Sequence, residues 1–185
     1  MTIAAVILAA GAGSRFEANT HKLLAPAKGR PLVCWAVEAA VEAGLDETIV
    51  VTGAVDLIDI LPTDVTVVHN EDWAKGQAIS LQVALRYAGM VGHEAVVVGL
   101  GDMPAVPASA WRAVAEAEGD IVTATFDGRR SPPVKLDGAV WPLVPMGGDE
   151  GARSLLRSRP DLVVEVSCDG EPLDLDTVED LRQWS

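Results

Sequence analysis

The chain has 185 residues, of which 49% are apolar; this excludes a disordered chain and leaves room for one domain with a buried core. Acidic residues outnumber basic ones by 27 to 14, so the net charge is −13, which excludes broad basic surfaces for nucleic acid or anionic membranes. We therefore expect a single domain over residues 1–185, in which any polyphosphate is held by a few local cations, backbone N–H groups and a divalent metal.

The first predicted strand is the apolar run at residues 3–10. It follows no basic segment and spans about ten residues, against roughly twenty for a membrane helix, so it fits neither a signal peptide nor a membrane span. Cys34 and Cys168 lie far apart in the chain and indicate neither a metal site nor a disulfide framework. This cysteine usage favours a reducing cytoplasm.

Strands and helices are predicted to alternate after the first strand. Pro31 begins an apolar-periodic helix that ends before Gly44, with Pro and Gly at the expected ends. The later predicted elements are strand 48–52, helix 55–61, strand 65–68, helix 77–87, strand 94–98, helix 107–118 and strand 121–125. This order predicts an α/β fold, a three-layer α/β/α Rossmann-like domain with a mostly parallel, mixed central sheet.

Ligands of such folds bind at the carboxyl ends of the strands. Three unusual loops, at residues 9–22, 69–77 and 99–106, are expected to open onto that edge. The stretch 127–148 is rich in Gly and Pro, and we expect it to form an irregular excursion that faces the substrate.

The loop after the first strand is the clearest candidate for a phosphate site. Gly11 and Gly13 allow backbone N–H groups to approach an anion closely, and Arg15 and Lys22 add positive charge. The P-loop pattern is absent, and Phe16 stands where a dinucleotide-binding loop has its third Gly. A tight strand-to-helix connection without a ligand is the alternative for such a loop taken alone.

Carboxylates in two later segments are candidate magnesium ligands. Asp102 follows a buried strand between Gly101 and Met103-Pro104, and Asp174 and Asp176 lie in the C-terminal tail. Mg²⁺ is commonly held by one or two carboxylates together with substrate phosphates. Helix capping is the structural alternative for the tail, since Asp176 or Thr177 leads a predicted helix there.

Two further segments carry candidate binding residues. Gly76 precedes a helix whose free N–H groups and Ser80 hydroxyl are suited to a nucleoside, while Trp73 is expected to pack in the core. Asn70 either caps a turn or reaches a second substrate. In the segment 148–156, Asp149 is predicted to cap a helix.

Taken together, these segments resemble the MobA-like nucleotidyltransferase superfamily, specifically its molybdenum cofactor cytidylyltransferases. The similar segments are Leu8-Ala9-Ala10-Gly11-Ala12-Gly13-Ser14-Arg15-Phe16 with Lys22-Leu23-Leu24, 70–81, 100–104, 148–156 and 174–181. The resemblance implies transfer of CMP from CTP to the phosphate of molybdopterin, with release of pyrophosphate.

The resemblance also implies a role for each site residue. Arg15 and Lys22 would be catalytic, and Asp102 and Asp176 would bind Mg²⁺. Asn70 and Arg153 would bind the acceptor, and a molybdenum hydroxylase is a possible partner. The implied nucleotide-binding residues are Leu8, Ala9, Ala10, Gly11, Gly13, Ser14, Gly76 and Ser80.

The chain departs from the family pattern at two places, and alternatives stay open. Val178 replaces a usual Pro, and Ser131-Pro132-Pro133-Val134 replaces a His-Pro-Val-like element near the expected acceptor. The segment 8–11 favours CTP, but by one residue, so a guanylyltransferase is an alternative. A sugar phosphate acceptor and a non-catalytic nucleotide or cofactor carrier are the others.

Overall fold

The computed structural model describes residues 1–16 and 19–185 as strands, helices and connecting loops. The strands are β1 (Ile3–Ala9), β2 (Pro26–Ala27), β3 (Arg30–Pro31), β4 (Glu47–Thr52), β5 (Thr66–His69), β6 (Ala95–Leu100), β7 (Ile121–Phe126), β8 (Arg129–Asp137) and β9 (Val163–Ser167). The α-helices are α1 (Leu32–Glu42), α2 (Gln77–Val91), α3 (Ala108–Glu116), α4 (Ala152–Ser158) and α5 (Val178–Trp184).

Within the described part of the chain, seven strands form one sheet in the order β5-β4-β1-β6-β8-β7-β9. Neighbouring strands are parallel except where β8 lies antiparallel between β6 and β7. The mostly parallel, mixed sheet is therefore as predicted. A small antiparallel hairpin of β2 and β3 lies outside it.

Helices cover both faces of the sheet because the central strands are apolar on both sides. Odd-numbered residues of β1, such as Ala5 and Ile7, pack with α1 and α3, and even-numbered ones, such as Val6, pack with α2 and α4. Strands buried on both faces are typical of parallel sheets. The result is the predicted three-layer α/β/α architecture.

A third apolar cluster joins the C-terminal tail to the β2–β3 hairpin. Leu175 and Leu181 pack there against Phe16 and Leu32. At its rim the rings of Trp35 and Trp184 meet edge to face, with centroids 5.6 Å apart. The tail is thereby fixed beside the loop that follows β1.

The prediction that residues 127–148 form an irregular excursion was wrong for most of the segment. Residues 129–137 form β8, whose Val134–Leu136 segment pairs with β6 on one side and β7 on the other. The irregularity that the Gly and Pro content indicated lies in the turn between β7 and β8, in the break in register opposite Thr123 and Ala124, and in the 3₁₀ segment Gly138–Leu143 with the bends that follow it. Proline cannot donate to a ladder, so Pro132 and Pro133 fit only at such a break.

Smaller differences affect other elements. The predicted helix at 55–61 is a single 3₁₀ turn, Ile58–Ile60, and α2 continues to Val91, where Gly92 ends it in a left-handed conformation. Among the described residues, no helix is both long and apolar enough to span a membrane.

Candidate active site

A cleft of about 780 Å³ lies at the carboxyl ends of β1 and β6. The loop after β1, the start of α2, the loop after β6, the start of α4 and the C-terminal tail all contribute to its walls. The cleft brings together all but one of the predicted site residues, namely Leu8, Ala9, Ala10, Gly11, Gly13, Ser14, Arg15, Lys22, Gly76, Ser80, Asp102, Arg153 and Asp176.

The loop after β1 is held in shape by a hydrogen bond that closes at Gly13. Gly13 has a φ of +63°, which Gly adopts without a steric penalty, and its carbonyl accepts a hydrogen bond of 2.9 Å from the Phe16 N–H. A Cβ at Gly13 would lie 3.1 Å from the Lys22 Cβ. Gly at this position therefore allows the loop to approach Lys22 closely.

His21 connects the two ends of the loop, a role that the sequence did not indicate. The Leu23 N–H donates to Nδ1 over 3.2 Å, so Nε2 carries the ring proton and donates to the Gly11 carbonyl over 3.0 Å. Burial, assisted by the nearby Lys22 charge, lowers the pKa of His21, although its bond to Gly11 opposes this. The neutral ring that this hydrogen bonding requires is thus favoured.

Two cations of the loop contact two carboxylates from distant parts of the chain. Lys22 Nζ lies 2.6 Å from Asp102 Oδ2 and 2.9 Å from Asp176 Oδ1, and Arg15 Nη1 lies 2.7 Å from Asp176 Oδ2. Burial favours the neutral amine of Lys22, but the two carboxylates outweigh it and raise the pKa of Lys22. Lys22 is therefore charged at neutral pH.

Asp174 completes a cluster of three carboxylates. One oxygen each from Asp102, Asp174 and Asp176 lie within 4.8 Å of one another. Desolvation, together with the charges of Asp102 and Asp176, raises the pKa of Asp174 to about 6. Hard carboxylate oxygens are the ligands that Mg²⁺ and Mn²⁺ prefer, so this donor set fits a divalent cation.

Backbone contacts bring the tail to the loop after β6. The Leu175 N–H donates to the Asp102 carbonyl over 3.2 Å, and Leu175 is buried. Thr177 caps α5 through a reciprocal capping box with Asp180, so capping belongs to Thr177. The Asp176 side chain is left to the cations of the cleft.

The start of α2 differs from its prediction. Gly76 has a φ of +107°, and a Cβ there would lie 2.6 Å from the Gly148 carbonyl oxygen. That oxygen accepts from the Ala78 N–H over 2.9 Å, and the Ile79 N–H donates to Gly76. These two N–H groups are therefore hydrogen-bonded within the protein and are not free for a ligand. The absence of a side chain at Gly76 lets the loop before α4 pack against it.

Asn70 is the one predicted site residue that does not line the cleft. Its side chain is buried, donates to Ser80 Oγ over 2.9 Å and accepts from the Asp72 N–H over 3.0 Å. Asn70 thus forms a turn and fixes the orientation of Ser80.

Three further arginines line the cleft, besides Arg15. Arg153 was predicted there, whereas Arg130 on β8 and Arg157 on α4 were not. Arg130 pairs with Glu165 over 2.6 Å, and Arg157 pairs with Glu150. Asp149 lines the same wall, but the prediction that it caps α4 was wrong, because Gly151 occupies that position.

Comparison with known proteins agrees with this geometry. The model of the MobA-like NTP transferase domain matches residues 5–165. Nicotine blue oxidoreductase from Paenarthrobacter nicotinovorans is 32% identical over 97% of this chain and 94% of its own length.

Two solved structures are similar over nearly their whole lengths. Rv0371c from Mycobacterium tuberculosis H37Rv, also solved as a manganese complex, has a TM-score of 0.86 and 28% identity, and the match covers 100% of this chain and 97% of that one. A nucleotidyl transferase from Methanothermobacter has a TM-score of 0.83 and 26% identity over 99% and 96% of the two chains. The fold, the cleft and these matches together establish that the chain belongs to the MobA-like NTP transferase domain family.

Proposed function

We propose that the protein is a cytidylyltransferase that transfers CMP from CTP to the phosphate of molybdopterin or the molybdenum cofactor. The observation that carries the proposal is the cluster of Arg15, Lys22, Asp102 and Asp176 beside the glycine-rich loop. Cations and metal-binding carboxylates meet there at one point, as transfer between two phosphates requires.

The reaction forms one bond and breaks one. A phosphate oxygen of the acceptor attacks the α-phosphorus of CTP, and the bond between that phosphorus and the oxygen bridging to the β-phosphate breaks, so that pyrophosphate leaves. The second pKa of a phosphate monoester is about 6, so the attacking group is already anionic near neutral pH and needs no general base. The work of the protein is alignment and charge neutralisation.

The residues divide this work between them. Arg15, Lys22 and the N–H groups of the loop would bind the triphosphate and stabilise the leaving pyrophosphate. Asp102 and Asp176, with Asp174 beside them, would hold Mg²⁺, which when bound neutralises phosphate charge. The other arginines that line the cleft, Arg153 first among them, would bind the acceptor phosphate.

Pyrophosphate release tests the proposal directly. The purified protein is incubated with Mg²⁺, CTP or GTP, and molybdopterin, and separately with a sugar phosphate as acceptor. We expect pyrophosphate only with CTP and molybdopterin, and none from Asp102→Asn. Release with GTP would assign the chain to guanylyl transfer, and release with the sugar phosphate would replace the acceptor. Nucleotide binding without any release would favour a carrier.

A redox activity is the second candidate, because a relative that matches over 94% of its own length is named nicotine blue oxidoreductase. It is tested by mixing nicotine blue with NADH or NADPH and the protein, and following the absorbance of the cofactor. We expect no oxidation above the rate without protein. Oxidation that persists in Asp102→Asn would favour the redox function over nucleotidyl transfer.

A further inference from the structure

Cations occupy the oxygens of the carboxylates that the proposed metal would need. Asp176 Oδ1 accepts from Lys22 Nζ at 2.9 Å, and Asp176 Oδ2 pairs with Arg15 at 2.7 Å. Asp102 Oδ2 accepts from the same Lys22 ammonium at 2.6 Å. Both oxygens of Asp176 and one of Asp102 are therefore engaged with side-chain cations.

The two cations differ in their freedom to move. The Lys22 side chain is only 8% exposed and lies between its two carboxylates, whereas the Arg15 side chain is 78% exposed at the mouth of the cleft. Arg15 can leave Asp176 by rotation of its side chain alone. Release of Lys22 requires another group to compensate its charge, since a buried ammonium without a partner is costly.

The two ligands of a nucleotidyltransferase, a divalent cation and a triphosphate, each compete with one half of these ion pairs. A divalent cation needs the carboxylate oxygens, and a triphosphate needs the ammonium and the guanidinium. Neither ligand alone compensates both halves of the cluster: the metal alone displaces cations with no anion to receive them, and the triphosphate alone leaves carboxylates unpaired. Together the two ligands exchange every ion pair for a new one.

We propose that Lys22 and Arg15 act as exchangeable counter-ions of the carboxylate cluster, so that divalent metal and nucleoside triphosphate bind with strong positive coupling. The inference rests on the proposed function, because it takes the Asp102 and Asp176 site as the metal site. Coupling is reciprocal, so metal raises nucleotide affinity by the same factor as nucleotide raises metal affinity. In the absence of the triphosphate, the protein then binds the divalent metal only weakly.

Mn²⁺ alone is the probe for this coupling, since free Mn²⁺ is counted directly by its electron paramagnetic resonance signal. Removal of a counter-ion should mimic the arrival of the triphosphate. We expect Lys22→Met to bind Mn²⁺ about tenfold more tightly than the wild type, a coupling of the usual allosteric size, and Arg15→Met to show a smaller gain.

Arg112→Met is the matched control, because it removes one positive charge from α3, where Arg112 donates to the Glu42 carbonyl at the end of α1. Its Mn²⁺ affinity should equal that of the wild type. Thermal unfolding of every variant is measured alongside. If Lys22→Met does not fold, Arg15→Met decides the test, since its exposed side chain has no part in the core.

Mn²⁺ affinity in Lys22→Met and Arg15→Met no higher than in Arg112→Met would overturn the inference. The single variant Asp102→Asn, measured beside Arg15→Met, separates failure of the coupling from failure of the proposed metal site. If Asp102→Asn abolishes Mn²⁺ binding while the two counter-ion variants show no gain, the site stands and only the coupling is wrong. If the Mn²⁺ affinity of Asp102→Asn equals that of the wild type, both the proposed metal site and the coupling are wrong.

Discussion

His21 is a single side chain on which the shape of the loop after β1 depends. His21→Ala removes its bonds to the Gly11 carbonyl and the Leu23 N–H, so the backbone on both sides of Arg15 and Lys22 loses its cross-link. We expect turnover to fall about tenfold, because misplacement of groups that align phosphates costs rate, with a stability loss of about 1 kcal/mol. Pyrophosphate release and urea unfolding measure the two effects.

His93→Ala gives the comparison, since His93 is also partly buried but binds Glu47 at the amino end of the sheet. It should lower stability and leave the turnover of the folded fraction unchanged. An equal loss of turnover in both histidine variants would argue against a positioning role for His21.

Glycine is required at position 76 by the close approach of the Gly148 carbonyl as well as by the positive φ. In Gly76→Ala the new Cβ would meet the Gly148 carbonyl oxygen at 2.6 Å, so the contact between the start of α2 and the loop before α4 must open. Gly92 has a similar φ of +93° but nothing within 4 Å. Gly92→Ala should therefore cost only the backbone strain of about 1 kcal/mol, and Gly76→Ala about 2 kcal/mol more.

Urea unfolding of the two alanine variants tests this difference. Equal losses of stability would mean that the Gly148 loop moves away without cost. A larger loss confined to Gly76→Ala would support the close contact as the reason for glycine there.

Residue chemistry indicated Arg15, Lys22 and Asp102, because cations after a glycine-rich loop and a carboxylate on a turn are informative without any partner. It left Asp174 and Asp176 open, and the preference for Asp176 came from the resemblance to the family. The same reasoning could not separate a turn from a ligand at Asn70. That choice depended on whether Ser80, in the first turn of α2, would point toward Asn70. It also missed His21 and Arg130, whose roles follow from which strand or loop lies opposite.

At the scale of secondary structure, the C-terminal tail matters more than its length indicates. Leu175 is buried between Asp174 and Asp176 and packs with the β2–β3 cluster. Leu175→Ala should lower stability by about 2–4 kcal/mol and also weaken Mn²⁺ binding, since the tail carries carboxylates of the cluster. Leu85→Ala, in the core of α2, should cause a similar loss of stability with unchanged Mn²⁺ affinity.

The comparison is made with both variants well below their melting temperatures. Unchanged Mn²⁺ affinity in Leu175→Ala would show that Asp176 is positioned without the tail cluster. Weakening in Leu85→Ala as well would assign the effect to general loosening of the fold.

Helices and strands with a clear apolar pattern in their own sequence were predicted. A strand whose position depends on pairing with other strands was not. The strand β6 and the helices α1 and α3 were located within a few residues, because an apolar run or a helical stripe encodes burial locally. The strand β8 carries two prolines and a polar start, so its central place is decided by pairing with β6 and β7. The pairing with β6 joins residues far apart in the chain and leaves no local pattern, whereas the pairing with β7 is a hairpin closed at Asp127-Gly128.

At the scale of the whole molecule, the Glu47 carboxylate joins three elements at the amino-terminal end of the central strands. Glu47 accepts from Thr66, Tyr87 and His93, which come from β5, α2 and the loop before β6. Burial raises the pKa of Glu47, but the hydrogen bonds together outweigh it, and the net shift is downward from 4.5. Glu47 therefore stabilises the fold above pH 4.5, and this contribution is lost as the pH falls through its folded pKa.

Glu47→Gln should then lower the free energy of unfolding by about 1–2 kcal/mol at neutral pH, with the difference from the wild type vanishing on acidification below pH 4.5. Urea titrations across this range measure it. Glu71→Gln, at an exposed position, is the control and should match the wild type throughout. A deficit in Glu47→Gln that does not change with pH would assign the loss to packing instead of charge.

The edge-to-face contact of Trp35 and Trp184 gives the protein an optical signal of its own. Two indoles 5.6 Å apart and nearly perpendicular couple their electronic transitions, which produces a paired band of opposite signs in the circular dichroism spectrum. Trp184 ends the helix that follows Asp176 and Trp35 lies on α1, so the band reports whether the tail is docked against α1. Docking of the tail can thus be followed in solution during ligand titrations without any attached label.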